Sequence, residues 1–128
     1  MAGKTTFLSN KILDHALRNT AYTPPATVYL GLFSVAPTDA GGGTELTGNA
    51  YARQAISFSA AAGSATSNSA AIDFPVATPG AWSAAVAFGI FDAPTGGNLL
   101  YWGTLTSVTI AANEFLRIPA GDLDVTDD

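Results

Sequence analysis

The amino-acid sequence predicts a mainly β protein: a compact antiparallel β-sandwich or barrel of about eight strands, with one short N-terminal helix in front. Apolar residues alternate with a period of two from Thr27 onward. Clusters rich in Gly, Pro and Asn break that alternation about every ten residues, the spacing of sandwiches and barrels. A helical period occurs in one stretch, residues 9–18.

In that stretch Ile12, Leu13, Ala16 and Leu17 share one face, while Lys11, Asp14, His15 and Arg18 fall largely on the other. Ser9 is the expected N-cap, with Leu8 and Leu13 as the hydrophobic staple around it. The helix should stop at Asn19 and Thr20, and Pro24 with Pro25 bars any extension. At three turns it must pack on something to persist. Residues 1–8 read as a flexible terminal arm. The layout is then a single domain over residues 1–128: arm 1–8, helix 9–19 and β-sandwich 27–125.

The first strand sets Val28, Leu30 and Leu32 against Thr27, Tyr29, Gly31 and Phe33. Residues 36–49, with four Gly and one Pro, form a long loop or loose hairpin connection. Residues 51–59 alternate again, 60–69 are small and polar without a clear assignment, and Ala70, Ile72 and Phe74 suggest a strand ended by Pro75. Residues 84–91 place Val86, Phe88 and Ile90 on one face. Residues 93–98, APTGGN, signal a turn, and a strand with Tyr101 and Trp102 restarts over 99–105. Short strands at 108–110, 115–118 and 123–125 complete the count. The run Leu30-Gly31-Leu32-Phe33 is echoed by Phe88-Gly89-Ile90-Phe91, each followed by Ala-Pro-Thr and glycines. This reads as two hairpins with one grammar, each strand Gly marking a bulge or a close backbone approach.

The 128 residues are the size of one domain and contain no Cys. Charged residues make up 12%, about half the usual quarter, and hydrophobic ones 48%. A surface of Ala, Ser, Thr and Gly suits packing against neighbours, since few charges must be desolvated on contact. It equally suits a monomer with a Thr/Ser-rich β surface. The net charge of −5, with five Lys and Arg in all, offers no basic footprint for nucleic acid and would be repelled by an anionic membrane. No apolar run approaches the length of a membrane-spanning helix, and the first eight residues are too short and polar for a secretory signal. Assembly in the cytoplasm is the expectation.

Reaction chemistry finds little to use. His15 is the single His, on the polar side of a short helix, so no His-based triad and no site of several His or Cys is expected. Gly3-Lys4-Thr5-Thr6 lacks the preceding strand and first Gly of a phosphate-binding loop. Asp122 and Asp124 would share a face of a strand, but the spacing of a calcium loop is missing, and Asp39 with Glu45 is a weaker pair still. No catalytic, cofactor-binding or metal-binding residue is expected. Tyr51, Trp82, Tyr101 and Trp102 are what a sugar-stacking face would use; the competing reading puts them in the core. Tyr101 and Trp102 are adjacent in one strand, so at least one should be exposed or at an interface.

Leu8-Ser9-Asn10-Lys11-Ile12-Leu13-Asp14-His15-Ala16-Leu17-Arg18, then Tyr22 and Pro25-Ala26-Thr27-Val28-Tyr29-Leu30-Gly31-Leu32-Phe33, resemble the start of a family of tailed-phage virion proteins. The likeness continues through Gly48-Asn49-Ala50-Tyr51-Ala52-Arg53-Gln54, Phe88-Gly89-Ile90-Phe91-Asp92 and Gly121-Asp122-Leu123. Members are commonly labelled tail fibre or minor structural proteins. The resemblance implies a non-catalytic part of a bacteriophage particle, located in the virion. Its partners would be other virion proteins (major capsid or tail proteins) and copies of itself in a homo-oligomer or symmetric array, with no nucleic acid, membrane or cofactor.

Fibre shafts are elongated and built from repeats or coiled coils, neither of which this chain shows. A capsid decoration or minor virion surface subunit is therefore the first expectation. The alternative is a tail-tip or tail-fibre-associated host-attachment module that binds carbohydrate. Docking candidates are Phe7, Leu8, Ile12, Leu13 and Leu17 in the arm and helix, with Tyr51, Trp82 and Trp102; the loops 35–49 and 93–98 are candidate contact surfaces.

Overall fold

A computed structural model describes residues 2–127. In chain order its elements are β1 (Ala2–Lys4), α1 (Thr6–Leu17), β2 (Val28–Val35), β3 (Thr44–Glu45), β4 (Gln54–Ile56), β5 (Ala65–Ser67), β6 (Ile72–Asp73), β7 (Ala85–Phe91), β8 (Leu99–Val108), β9 (Arg117–Ile118) and β10 (Asp124–Thr126). The three long strands are adjacent, and the main sheet runs β1-β8-β7-β2. The outer edge of β2 is shared, with β4 opposite Val28 to Leu30 and β3 opposite Phe33 to Val35. Every pairing is antiparallel, including the separate pairs β5–β10 and β6–β9.

The period-two alternation decides which face is covered. Leu30 and Leu32 stand opposite Ile90 and Phe88 in register, and this face packs against Ile72, Phe74, Trp82, Ile110, Leu123 and Val125 from the shorter elements. The sandwich reading is thus realised as one open sheet covered by a layer of short strands, and no barrel closes. Asn68 ties that layer together. It is 1% exposed, its amide donating to Ala70 O (2.9 Å) and Pro119 O (3.0 Å) while its Oδ1 accepts the Leu123 N–H at 2.9 Å. A buried amide of this kind is tolerated because its polar atoms are paired.

The main face has a reverse side with a smaller core of Phe33, Ala87 and Phe91. It explains the repeated Gly. Gly31 and Gly89 are direct partners across β2 and β7, and the rings of Phe33 and Phe91 stack beside them at 5.9 Å and 17°. A Cβ on Gly89 would lie 2.7 Å from the Phe33 ring and 2.6 Å from Leu99; one on Gly31 would lie 3.0 Å from the Phe91 ring and 2.7 Å from Glu45 Oε2. The glycines therefore accommodate side chains, in place of the bulge or backbone approach that the sequence suggests. The two expected hairpins are present, as β2–β3 and β7–β8.

Several boundaries differ from expectation. The arm is a strand: Ala2, Gly3 and Lys4 pair with Gly103, Trp102 and Tyr101. The helix begins at Thr6, capped by Thr5 and not by Ser9, and ends at Leu17. The Thr5 hydroxyl donates to Leu99 O (2.7 Å) and accepts the Leu8 N–H at 3.4 Å, so β8 fixes the start one turn early. Leu8 consequently lies inside the helix and is buried. Residues 36–49 contain a Thr38–Gly41 turn and β3, and the unassigned 60–69 contain β5. The strand expected at 108–110 is absorbed into a ten-residue β8 at Val108, and Ile110 joins the core. Ten strands are described instead of about eight, the additions being two- and three-residue pieces at the edges.

Candidate docking surfaces

The helix is held at one end. Thr5 locks its first turn to β8, Leu8 is 5% exposed, and Ile12 is half-buried. Leu13 and Leu17, spaced i,i+4 on the far side, are 54% and 78% exposed. Of the apolar face read from the sequence, Ile12 is half-buried while Leu13, Ala16 and Leu17 are exposed. Phe7 is half-buried under Lys11, whose Nζ sits 5.6 Å from the ring centroid. In the last turn of the helix, His15 Nδ1 accepts the Tyr22 N–H at 3.2 Å and holds the following turn. The exposed Asp14–Arg18 pair at 3.3 Å adds little.

On the reverse side of the sheet, the start of α1, the glycines of the 36–49 loop and Asn98 border a depression of about 620 Å³. Trp102 is half-buried nearby, and its Nε1 donates to Asp39 Oδ1 at 2.9 Å while the Asp39 carbonyl accepts the Thr6 N–H at 2.8 Å. Tyr101 points the other way, opposite Ile90, where burial pushes its hydroxyl up. The two neighbours thus occupy opposite faces, as the sequence requires.

The remaining aromatics do not assemble a sugar face. Trp82 is 4% exposed, packed edge-on against Tyr51 (5.4 Å) and Phe74 (6.2 Å), and its Nε1 donates to Asn49 O at 2.8 Å. As docking candidates Trp82 and Leu8 are corrected to core residues, because each is surrounded by its own fold. Tyr51 is half-buried, and its hydroxyl accepts the Leu32 N–H (2.9 Å) and donates to Glu45 Oε2 (2.7 Å). Burial first, and the Glu45 carboxylate beside it, drive that phenol far above its ordinary range.

Glu45 also receives both arms of Arg53, at 2.8 Å each, and the Arg53 guanidinium lies 3.4 Å from the Phe91 ring centroid. Its remaining nitrogen donates to Ala93 O and Gly96 O at 2.9 Å, which fixes the β7–β8 turn. Nothing in the alternation singles out Arg53 or Glu45. The one sequence signal is Gly31, whose missing side chain leaves room for the Glu45 carboxylate. A bidentate pair of this geometry is a clamp.

At the other end of β8 lies an open groove of about 790 Å³, floored by Phe88, Leu105, Ile118 and Leu123, with Asp122 and Asp124 beside it. Among the described residues no group of three or more His, Cys, Asp and Glu is placed to hold a metal. Lys4, from the fragmentary phosphate-loop motif, pairs with Asp127. No helix among the described residues is long and apolar enough to cross a membrane.

A covered sheet with side-chain clamps and an outward-facing helix ridge makes a β-rich domain with apolar side chains left on its surface. Residues 3–126 match the family described as podophage GP4 fiber I protein gp80, and the chain belongs to that family. It is accordingly a tailed-phage virion structural protein of the fibre type. This favours the fibre-associated reading over the capsid-decoration reading that the absence of repeats suggests. Among curated proteins none matches the chain.

Proposed function

We propose that this chain is a non-catalytic subunit of the fibre apparatus of a phage particle, a single rigid β domain assembled in the host cytoplasm that docks on neighbouring virion proteins. The family match over residues 3–126 carries the reading. The fold supports it: α1 is anchored through Thr5 while Leu13 and Leu17 face outward, so an apolar ridge is presented on a fixed base. Individual contacts of this size are weak, and repetition around a symmetric particle makes them collectively strong. Locating the chain in a cryo-EM map of the particle tests the proposal; its absence from purified particles would overturn it.

A host-attachment role has one specific observation in its favour. Asp39, which accepts the Trp102 indole N–H, lines a depression of about 620 Å³, in the range of small-ligand sites. Glycan-array binding lost in Trp102→Ala would support this second reading, and binding unchanged in that variant would remove it.

A further inference from the structure

We infer that this protein binds a small neutral molecule, apolar in body with one hydrogen-bonding group, in the pocket between its main sheet and the β5–β10 pair. The inference goes beyond the fibre-subunit reading and does not depend on it.

The pocket has a volume of about 390 Å³. Val28, Ile90 and Leu100 of the main sheet line it, together with Phe58 and Val125 of the covering layer. The space exists because the chain supplies small residues here: Ala61, Ser64, Ala65 and Thr66 complete the lining. Val28, Phe58 and Tyr101 pack against the main core and yet stay half-buried. The small-residue wall is fixed through its backbone. Ala62 and Ala65 exchange hydrogen bonds of 2.9 and 3.1 Å, and the Asp127 N–H donates to Ser64 O at 2.8 Å. The Thr66 hydroxyl donates to Ser59 O at 2.6 Å, and β5 is paired along its length with β10. The pocket is therefore formed before any ligand arrives, which lowers the entropic cost of binding.

The lining sets the ligand class. Aliphatic side chains and the Phe58 ring call for an apolar body. Tyr101 supplies the polar handle, since among the described residues its hydroxyl has no hydrogen-bond partner. Burial first, and then the Asp127 carboxylate, push the ionisation of that hydroxyl up against the pull of Lys4, so it stays neutral and can both donate and accept. Charge at the site is already matched, because Asp127, the one charged residue of the lining, pairs with Lys4. An ionic ligand would lose its hydration here without gaining a counter-ion. At ~30 Å³ per water-sized group, the volume admits about a dozen non-hydrogen atoms. A monosaccharide has that size, but this lining would leave most of its hydroxyls unpaired.

Indole, an apolar bicycle with a single N–H, is the probe, and amide chemical shifts of the full chain are the readout. Saturable shifts are expected at sub-millimolar indole, centred on Val28, Ile90, Tyr101 and Val125, while glucose should produce none. Tyr101→Phe removes only the hydroxyl and should weaken indole binding by about three- to tenfold. The same variant should leave binding of indene, which has the shape of indole without its N–H, unchanged. Ala65→Leu fills the pocket and should abolish the shifts from both compounds; should that variant fail to fold, Tyr101→Phe still decides the matter. Indole shifts that do not saturate, or that centre elsewhere, would overturn the inference. So would indole affinity unaltered in Tyr101→Phe, or glucose shifting the same residues. None of these results touches the fibre-subunit reading, which is decided by whether and where the chain occurs in the particle.

Discussion

Gly31 and Gly89 face each other across the β2–β7 ladder, and the rings of Phe33 and Phe91 occupy the space their missing side chains leave. Because both an aromatic ring and Leu99 would lie within 2.7 Å of a new Cβ at Gly89, Gly89→Ala should destabilise the protein by about 1–3 kcal/mol through overpacking. Gly3→Ala is the control. It sits in the same sheet, its new methyl group would meet nothing within 4 Å, and it should stay within about 0.5 kcal/mol of the parent. Urea denaturation of both variants checks the pair.

Arg53 joins the Glu45 carboxylate, the Phe91 ring and the carbonyls of Ala93 and Gly96. Its side chain is 8% exposed, so Arg53→Ala leaves a largely buried carboxylate without its cation and should cost about 3 kcal/mol. Tyr51→Phe removes only the acceptor of the Leu32 N–H and a donor to Glu45, and should cost about 1–2 kcal/mol. Both losses are readable in the denaturation midpoint. Arg53→Ala should in addition raise hydrogen-exchange rates in the β7–β8 turn.

The same turn predicts an acid limb of stability. Burial works to raise the Asp92 pKa, but hydrogen bonds from the Asn98 backbone N–H (2.7 Å) and amide (3.0 Å) prevail and hold it below the ordinary 3.8. A folded-state value below the unfolded one stabilises the protein above about pH 4, and the stabilisation is lost as the pH falls through the folded value. The melting temperature should therefore drop below pH 4. In Asp92→Asn that dependence should be shallower, with a lower plateau at neutral pH.

Leu8 and Leu17 belong to one helix and should behave oppositely. Leu8→Ala opens a cavity against β8 and should cost about 2–5 kcal/mol. Leu17→Gln, at a position 78% exposed, should leave stability within about 0.5 kcal/mol while reducing incorporation into particles. Thermal melts and a particle-incorporation assay separate the two effects.

What the sequence discloses follows the physics of local patterns. Strands such as Val28–Val35 and Ala85–Phe91 announce themselves because one face alternates into a core. Local pattern places the helix start one turn late because Thr5 and Ser9 are both competent caps, and the carbonyls of Leu99 and Leu100, ninety-odd residues away, select between them. Edge pieces such as β1, β3 and β5 are two or three residues long and exist through tertiary pairing, so no period marks them. Residue type leaves Trp82 open between a contact surface and the core; its burial depends on Tyr51, Phe74 and the Asn49 carbonyl, which the chain brings together only on folding.

The central claim, that this chain is a structural subunit of a phage fibre, is tested most directly by a cryo-EM reconstruction of the particle into which residues 2–127 are fitted. The predicted result is density for this β domain in repeated copies within the fibre apparatus, with Leu13 and Leu17 covered by a neighbouring chain. Density for the domain on the capsid shell alone, or its absence from the particle, would contradict it.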